Sequence, residues 1–407
     1  MNTPHSPDGR YAWFRLAVSV VLAVVGGIGM WVGVVIIPTI QAEFGVDRAG
    51  ASLPYTATFI GFAVGGIVMG RVAQRFGIVL PVAASGVALA AGFALAALAQ
   101  NFWQFVAVQA VLIGFLGSAA TFGPLVADVS QWFLKRRGIA VAIVASGNYL
   151  AGAIWPPFIQ AAIEAYGWRA TYAALALICI AIMLPLAGLL RRRPQFQDAA
   201  SPASQSGGAG GLLPRFPLLF PVLVFAGIAC CVAMSMPQVH IVAYCADLGY
   251  GPARGAEMLS IMLAFGIVSR LLSGLIADRI GGLATLIAGS FLQTVALLLY
   301  IPFDGLVSLY VVSAIFGLSQ GGIVPSYALI IRDHFPAREA SSRISTVLTA
   351  TVLGMALGGW MSGQIFDWTG SYALAFLNGV VWNVLNLAIA LWILHLRRPS
   401  TPARFTA

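Results

Sequence analysis

The sequence predicts an all-α membrane protein of twelve transmembrane helices in two six-helix bundles. Three observations carry this expectation. Of 407 residues, 60% are hydrophobic and 9% charged, whereas a soluble domain carries about 25% charged residues. Apolar runs long enough to cross a bilayer recur twelve times. The second half of the chain also repeats landmarks of the first.

In order, the apolar runs lie at 14–40, 52–73, 79–99, 103–127, 138–160 and 170–190, then at 217–244, 255–277, 283–302, 305–331, 342–365 and 372–396. Each is about as long as the roughly 20 residues a spanning helix needs. They are continuous rather than alternating, which excludes a β-barrel. The first run has no small-residue cleavage site after a short core, so it reads as a retained helix and not a signal peptide. The 45 glycines fit close helix packing through small residues.

One composition break, RRRPQFQDAASPASQSGGAGGLLPR (191–215), is rich in Ser, Gly, Ala and Pro and reads as a flexible linker. It divides an N-terminal bundle (1–190) from a C-terminal bundle (216–407). GRVAQRFG (70–77) recurs as GLIADRIG (274–281), offset by 204 residues. WFLKRRG (132–138) recurs as HFPAREA (334–340), and YGWRATY (166–172) as WTGSYAL (368–374). Six helices return the chain to its starting side, so this is a parallel duplication, which places a site between the halves near the midplane.

The net charge of +9 reads as topology, not as nucleic-acid binding. With both termini cytoplasmic, 18 of the 22 basic residues lie inside, among them Arg15, Arg75, Lys135, Arg136, Arg137, Arg279 and Arg332. Only Arg48, Arg169 and Arg254 lie outside, and Arg270 is within the membrane. This positive-inside bias implies a multi-pass protein of the cytoplasmic (inner) membrane. Cys179, Cys230, Cys231 and Cys245 have no metal-ligand spacing and read as small apolar fillers. No phosphate-binding G-x-x-x-x-G-K-S/T loop is present, nor any catalytic constellation. The expectation is therefore no enzyme, no cofactor and no ATP site.

Arg270 is the leading candidate site residue. It sits in LSIMLAFGIVSRLLSGLIADR (259–279), about 13 Å inward from Arg279 at roughly 1.5 Å per residue. That depth approaches the middle of a hydrocarbon layer about 30 Å thick. Charges there usually face a bundle interior or wet cavity and mark a substrate path. A guanidinium offers two parallel donors to a carboxylate and stays charged. One cation suits a monoanion better than a dianion. The neighbouring helices offer no acidic partner, and Asp128, beside Lys135, reads as an interface salt bridge.

The twelve-helix plan and the G-x-x-x-D-R-x-G octet after the eighth helix resemble the major facilitator superfamily. Two further motifs are similar to its monocarboxylate transporter branch. These are DGRYAW (8–13), before the first helix, and WFLKRRGIAVAIVASG (132–147), leading into the fifth. The branch also includes bacterial oxalate/formate-type antiporters. The resemblance implies that Arg270 binds a substrate carboxylate. The chain departs from that pattern at three places. Gly266 stands where lactate transporters carry an Asp, the first helix lacks their lysine and has Trp31 nearby, and the eleventh helix lacks the antiporters' lysine.

Other candidates are weaker individually. His240 follows Pro237, which can break the seventh helix, and histidine titrates near neutrality, suiting a proton or gate role. Asn148, Tyr149, Gln320 and Tyr327 are polar groups within helices, and Trp31 could wall the cavity. In the octets, Gly274, Gly281, Asp278, Arg279 and Arg75 are candidate gating residues. The glycines would permit a tight crossing, and Asp278 and Arg279 would bridge helix ends in one gated state. Lys135, Arg136 and Arg137 read as topogenic and interfacial.

The resulting expectation is a secondary transporter of a small organic monoanion, working by alternating access with proton symport. The alternatives are an exporter of amphipathic compounds and a carboxylate exchanger or uniporter. A receptor or intramembrane enzyme would need a signalling domain or catalytic constellation, and the sequence shows neither.

Overall fold

The computed structural model describes residues 8–192 and 218–396. The expected linker 191–215 therefore lies outside the described residues, apart from Arg191 and Arg192. Among the described residues, twelve helices are long and apolar enough to cross a membrane. The first bundle comprises α1 (Arg10–Val35), α2 (Arg48–Phe76), α3 (Val79–Ala97), α4 (Phe102–Trp132), α5 (Arg137–Tyr166) and α6 (Trp168–Leu189). The second comprises α7 (Leu219–Asp247), α8 (Pro252–Ile280), α9 (Gly282–Leu299), α10 (Leu306–His334), α11 (Ser342–Thr369) and α12 (Tyr372–Leu396).

Each bundle has its own apolar core, and a third core joins the two. It brings Trp31, Tyr55 and Tyr149 against Met234, Met262 and Leu263. Small residues set the spacing at matching places in the two halves. A Cβ on Gly61 or Gly65 of α2 would collide with the α4 backbone. One on Gly321 of α10 would lie 2.5 Å from the backbone N of Arg270 on α8. Both octets end on a left-handed glycine, Gly77 (φ 86°) and Gly281 (φ 83°), a geometry that only glycine adopts without strain. The close crossing expected of the octets is absent, because Gly70 and Gly274 face open space. Asp278 and Arg279 are exposed and make no ion pair among the described residues. Arg75 is also exposed and lies over the Phe76 ring.

Two expectations about charge need correcting. Arg15 is not a solvated topogenic residue: it is 1% exposed. Its guanidinium holds Asp128 through two bonds of 2.8 and 2.7 Å, and also donates to the Leu190 and Arg192 carbonyls at 3.1 Å. Asp128 thus pairs with Arg15 and not with Lys135. Arg15 enters from the facing side of α1 as a planar fork, whereas Lys135 lies beyond the end of α4. The expected break at Pro237 is also absent, since α7 is one helix over Leu219–Asp247. It is almost wholly buried from Ala229 to Ala243, and packing on all sides holds it intact.

Asp8 joins the two motifs at 8–13 and 132–147 into one structure. Its carboxylate accepts from the backbone N–H groups of Leu134, Lys135 and Arg136 at 3.1, 3.0 and 3.0 Å, and its own N–H donates to Trp132 O. Burial alone would raise the Asp8 carboxyl, but these backbone donors and the Arg136 charge hold it below its usual range.

Two outcomes follow from this packing. Asp128→Ala strands the buried Arg15 charge and should lower stability by about 3–5 kcal/mol, read as thermal unfolding in detergent. An Arg15→Met/Asp128→Leu double variant should recover most of that loss. For Asp8, the folded pKa lies below the unfolded value of about 3.9. Its contribution is therefore complete above that value and is lost as pH falls through the lower folded pKa. Asp8→Asn should abolish this acid-side loss and, at pH 7, speed hydrogen exchange at amides 134–136.

Candidate substrate site

Arg270 leans from α8 of the second bundle onto α5 of the first. Its Nη1 donates to the Ala145 carbonyl at 3.1 Å, where α5 breaks at Ser146. The guanidinium carbon lies 4.4 Å from the centre of the Tyr149 ring, within cation–π range. Neither partner carries a negative charge, so the cation is held in place without being neutralised. Its Nε has no hydrogen-bond partner.

Gly266 makes this arrangement possible. A Cβ there would lie 2.6 Å from Cε1 of Tyr149 and 3.4 Å from Nε2 of Gln320. The tyrosine ring occupies the space that a side chain at 266 would need. Gln320 is buried; its Oε1 accepts from Gln238 and its Nε2 is unpaired. Trp31 Nε1 donates to the Asn148 carbonyl at 3.0 Å.

Arg270 borders a cavity of about 910 Å³ between the bundles. Trp31, Asn148, Tyr149 and Gln238 line its inner part, and Arg137 and Arg332 line it toward the face that carries Asp8. The walls are mostly apolar and include Met30, Phe59, Phe62, Phe122, Met234 and Met355. Among the described residues, the charged side chains lining the cavity are three arginines. Above it, Gly152 leaves room for Trp31 and Leu263 to close together.

The opposite end is closed by charges that cross between the bundles. Arg48, at the start of α2, holds Asp247 of α7 through two bonds of 2.9 Å. Asp367 of α11 accepts from the backbone N–H groups of Arg48 and Ala49 at 2.8 and 2.7 Å. A carboxylate at a helix N-terminus also meets the favourable end of the helix dipole. The Arg48 guanidinium lies over Phe366 and Tyr372, at 4.9 and 5.9 Å.

The expected site residues thus separate. Arg270, Tyr149, Asn148 and Trp31 meet at the cavity, and Gln320 reaches it through Gln238. Arg137 lines it as well, whereas Lys135 and Arg136 stay at the surface. Tyr327 turns away and donates to Asn386 Oδ1 at 2.6 Å inside the second bundle. His240 is buried between α7, α11 and α12. Its Nε2 lies 2.7 Å from Gly359 O, so that nitrogen carries the proton, and Nδ1 accepts from the Tyr372 hydroxyl at 3.2 Å. Sequence reasoning missed Gln238, Arg332 and the closure by Arg48, Asp247 and Asp367. The signal available for the closure was a pair of acids at helix ends with an arginine read as lying in an outer loop.

A Major Facilitator Superfamily profile matches residues 19–345 and 248–406. The chain belongs to the Major Facilitator Superfamily. It is a membrane transporter of that superfamily, not an enzyme. It is similar to monocarboxylate transporter 13 from Bos taurus, 26% identical over 402 residues, covering 97% of this chain and 92% of that protein. It is also similar to an agnestins efflux protein from Paecilomyces divaricatus, 24% identical over 359 residues, with 86% and 80% covered. Among solved structures it resembles a bacterial homolog of the human lysosomal transporter Spinster, in an inward-facing and unoccupied conformation. The TM-score is 0.74 at 14% identity, covering 97% of this chain and 99% of that one. That likeness shows the superfamily fold and leaves the substrate open.

The packing at Gly266 is testable. Gly266→Ala should cost about 1–3 kcal/mol by overpacking, measured as thermal unfolding. Adding Tyr149→Ala should remove most of that penalty, giving a strongly non-additive cycle.

Proposed function

We propose that this superfamily member is a secondary transporter that carries a small organic monoanion across the cytoplasmic membrane by alternating access. One observation carries the reading: among the described residues, the cavity is lined by three arginines and no carboxylate. Arg270, the deepest of them, has an unpaired Nε. A carboxylate docked on this fork would complete its bonding and neutralise its charge, which strengthens binding where water is scarce. The similarity to monocarboxylate transporter 13 agrees with this chemistry.

The closure by Arg48, Asp247 and Asp367 acts, on this reading, as the outer gate, and the cavity opens toward the cytoplasm. Asp278 and Arg279 remain candidates for bridging helix ends in the opposite state. Proton symport would run through the substrate's own carboxyl group. The cavity offers no acid, and both nitrogens of His240 are engaged away from it.

Labelled monocarboxylate uptake into proteoliposomes tests the proposal. Arg270→Ala removes a charged hydrogen-bond donor worth about 1.5–3 kcal/mol, so uptake should fall by roughly ten- to a hundredfold. Arg270→Lys should fall too, because a point charge cannot reproduce the fork. Wild-type uptake by the alanine variant would refute anion binding at this residue. Collapsing the pH gradient should slow net uptake under symport, and no response would assign exchange or uniport.

A further inference from the structure

The size and wall chemistry of the cavity narrow the class of anion. A volume of about 910 Å³ lies at the upper end of the roughly 300–1,000 Å³ that holds drug-sized ligands. An acid of two to four carbons on Arg270 would leave most of that space, and most of the apolar wall, in contact with water. Polar groups on that wall are few: beside the arginines, the described lining includes Ser130, Asn148, Tyr149, Gln238 and Thr351. Beyond Arg270, Asn148, Tyr149 and Gln238, the inner lining is mostly apolar and includes Trp31, Phe59, Phe62, Met234, Leu263 and Met355.

The wall has a definite character. Phe59, Phe62 and Phe122 come from one bundle and Met234 and Met355 from the other. Thioether sulfur makes favourable contacts with aromatic rings, and methionine adapts its shape to irregular ligands. Met-rich surfaces can repack around several ligands of one type. The charge, by contrast, is concentrated: one guanidinium deep in the cavity and two arginines, Arg137 and Arg332, toward the open end.

We infer that the cavity is built for bulky aryl carboxylates rather than for short-chain acids. The carboxylate would sit on Arg270 and the ring system against Phe59, Phe62, Met234 and Met355. This inference rests on the reading of Arg270 as the anion clamp. It makes the methionines specificity residues, acting through contact with the ring.

The test compares four probes, 2-naphthoate, benzoate, lactate and acetate, for binding to the purified full-length protein and for counterflow in proteoliposomes. Half-saturation should fall at least tenfold from lactate and acetate to 2-naphthoate, with benzoate between. Met355→Trp fills the wall and should reduce the naphthoate-over-lactate preference at least tenfold, while the volume-conserving Met355→Leu retains it. Met234→Trp, from the neighbouring helix α7 of the same bundle, replaces Met355→Trp if that variant does not fold. Lactate binding as tightly as 2-naphthoate overturns the inference, as does binding of none of the four. A preference unchanged in a folded tryptophan variant does so too. The underlying reading fails separately: if uncharged 2-naphthylmethanol competes as well as 2-naphthoate, and Arg270→Ala binds both normally, the anion clamp itself is wrong.

Discussion

The arrangement depends on holding a permanent positive charge inside an apolar bundle without neutralising it. Three arginines of this chain lie at or near buried contacts, and two are closed off by acids: Arg15 by Asp128, and Arg48 by Asp247. Arg270 receives only a carbonyl and an aromatic face. Both attract a cation, and neither cancels its charge. That balance needs Tyr149 to lie flat against α8, which in turn needs a residue without a side chain at 266. It also needs α8 and α10 to run close together, which Gly317 and Gly321 allow. A carboxylate at 266 would have paired the arginine internally and displaced the ring.

The same economy distinguishes the two ends of the cavity. At the Arg48 end, charged groups from both bundles meet one another, and the carboxylate of α11 caps a helix belonging to the other bundle. Arg48 is buried in this closure while Asp247 is partly exposed, so breaking the contact requires rehydrating the guanidinium. At the other end the arginines face the cavity without acids. Between them lies an apolar roof around Trp31, Leu263 and Gly152. The cavity is therefore positively charged toward one side, while the packing closes it toward the other.

Much of this was legible from residues alone, because the bilayer restricts what a chain can do. Twelve apolar runs, a half-chain repeat and an unpaired Arg270 follow from composition and spacing. Where the reading went astray, the deciding contact was distant in sequence. Arg15 and Asp128 are 113 residues apart, and Arg48 and Asp367 are 319 apart. Charges near helix ends look solvated in a sequence, whether or not another helix covers them. Tyr327 and Gln320 are both polar residues on the same helix. Only the rotation of each half of α10 directs one toward the cavity and the other toward Asn386. Pro237 carries a breaking tendency that packing on every side of α7 overrides.

The sequence by itself determined the solvent of this protein, its twelve apolar crossings, its two-bundle plan and the place of Arg270 within the eighth helix. These are consequences of local hydropathy and of rise per residue. Only the tertiary structure decided what surrounds that arginine: the Tyr149 ring in the space left by Gly266, a large apolar cavity, and a closed end made by charges from opposite bundles. Such contacts depend on how the two bundles meet, and no local pattern encodes that meeting.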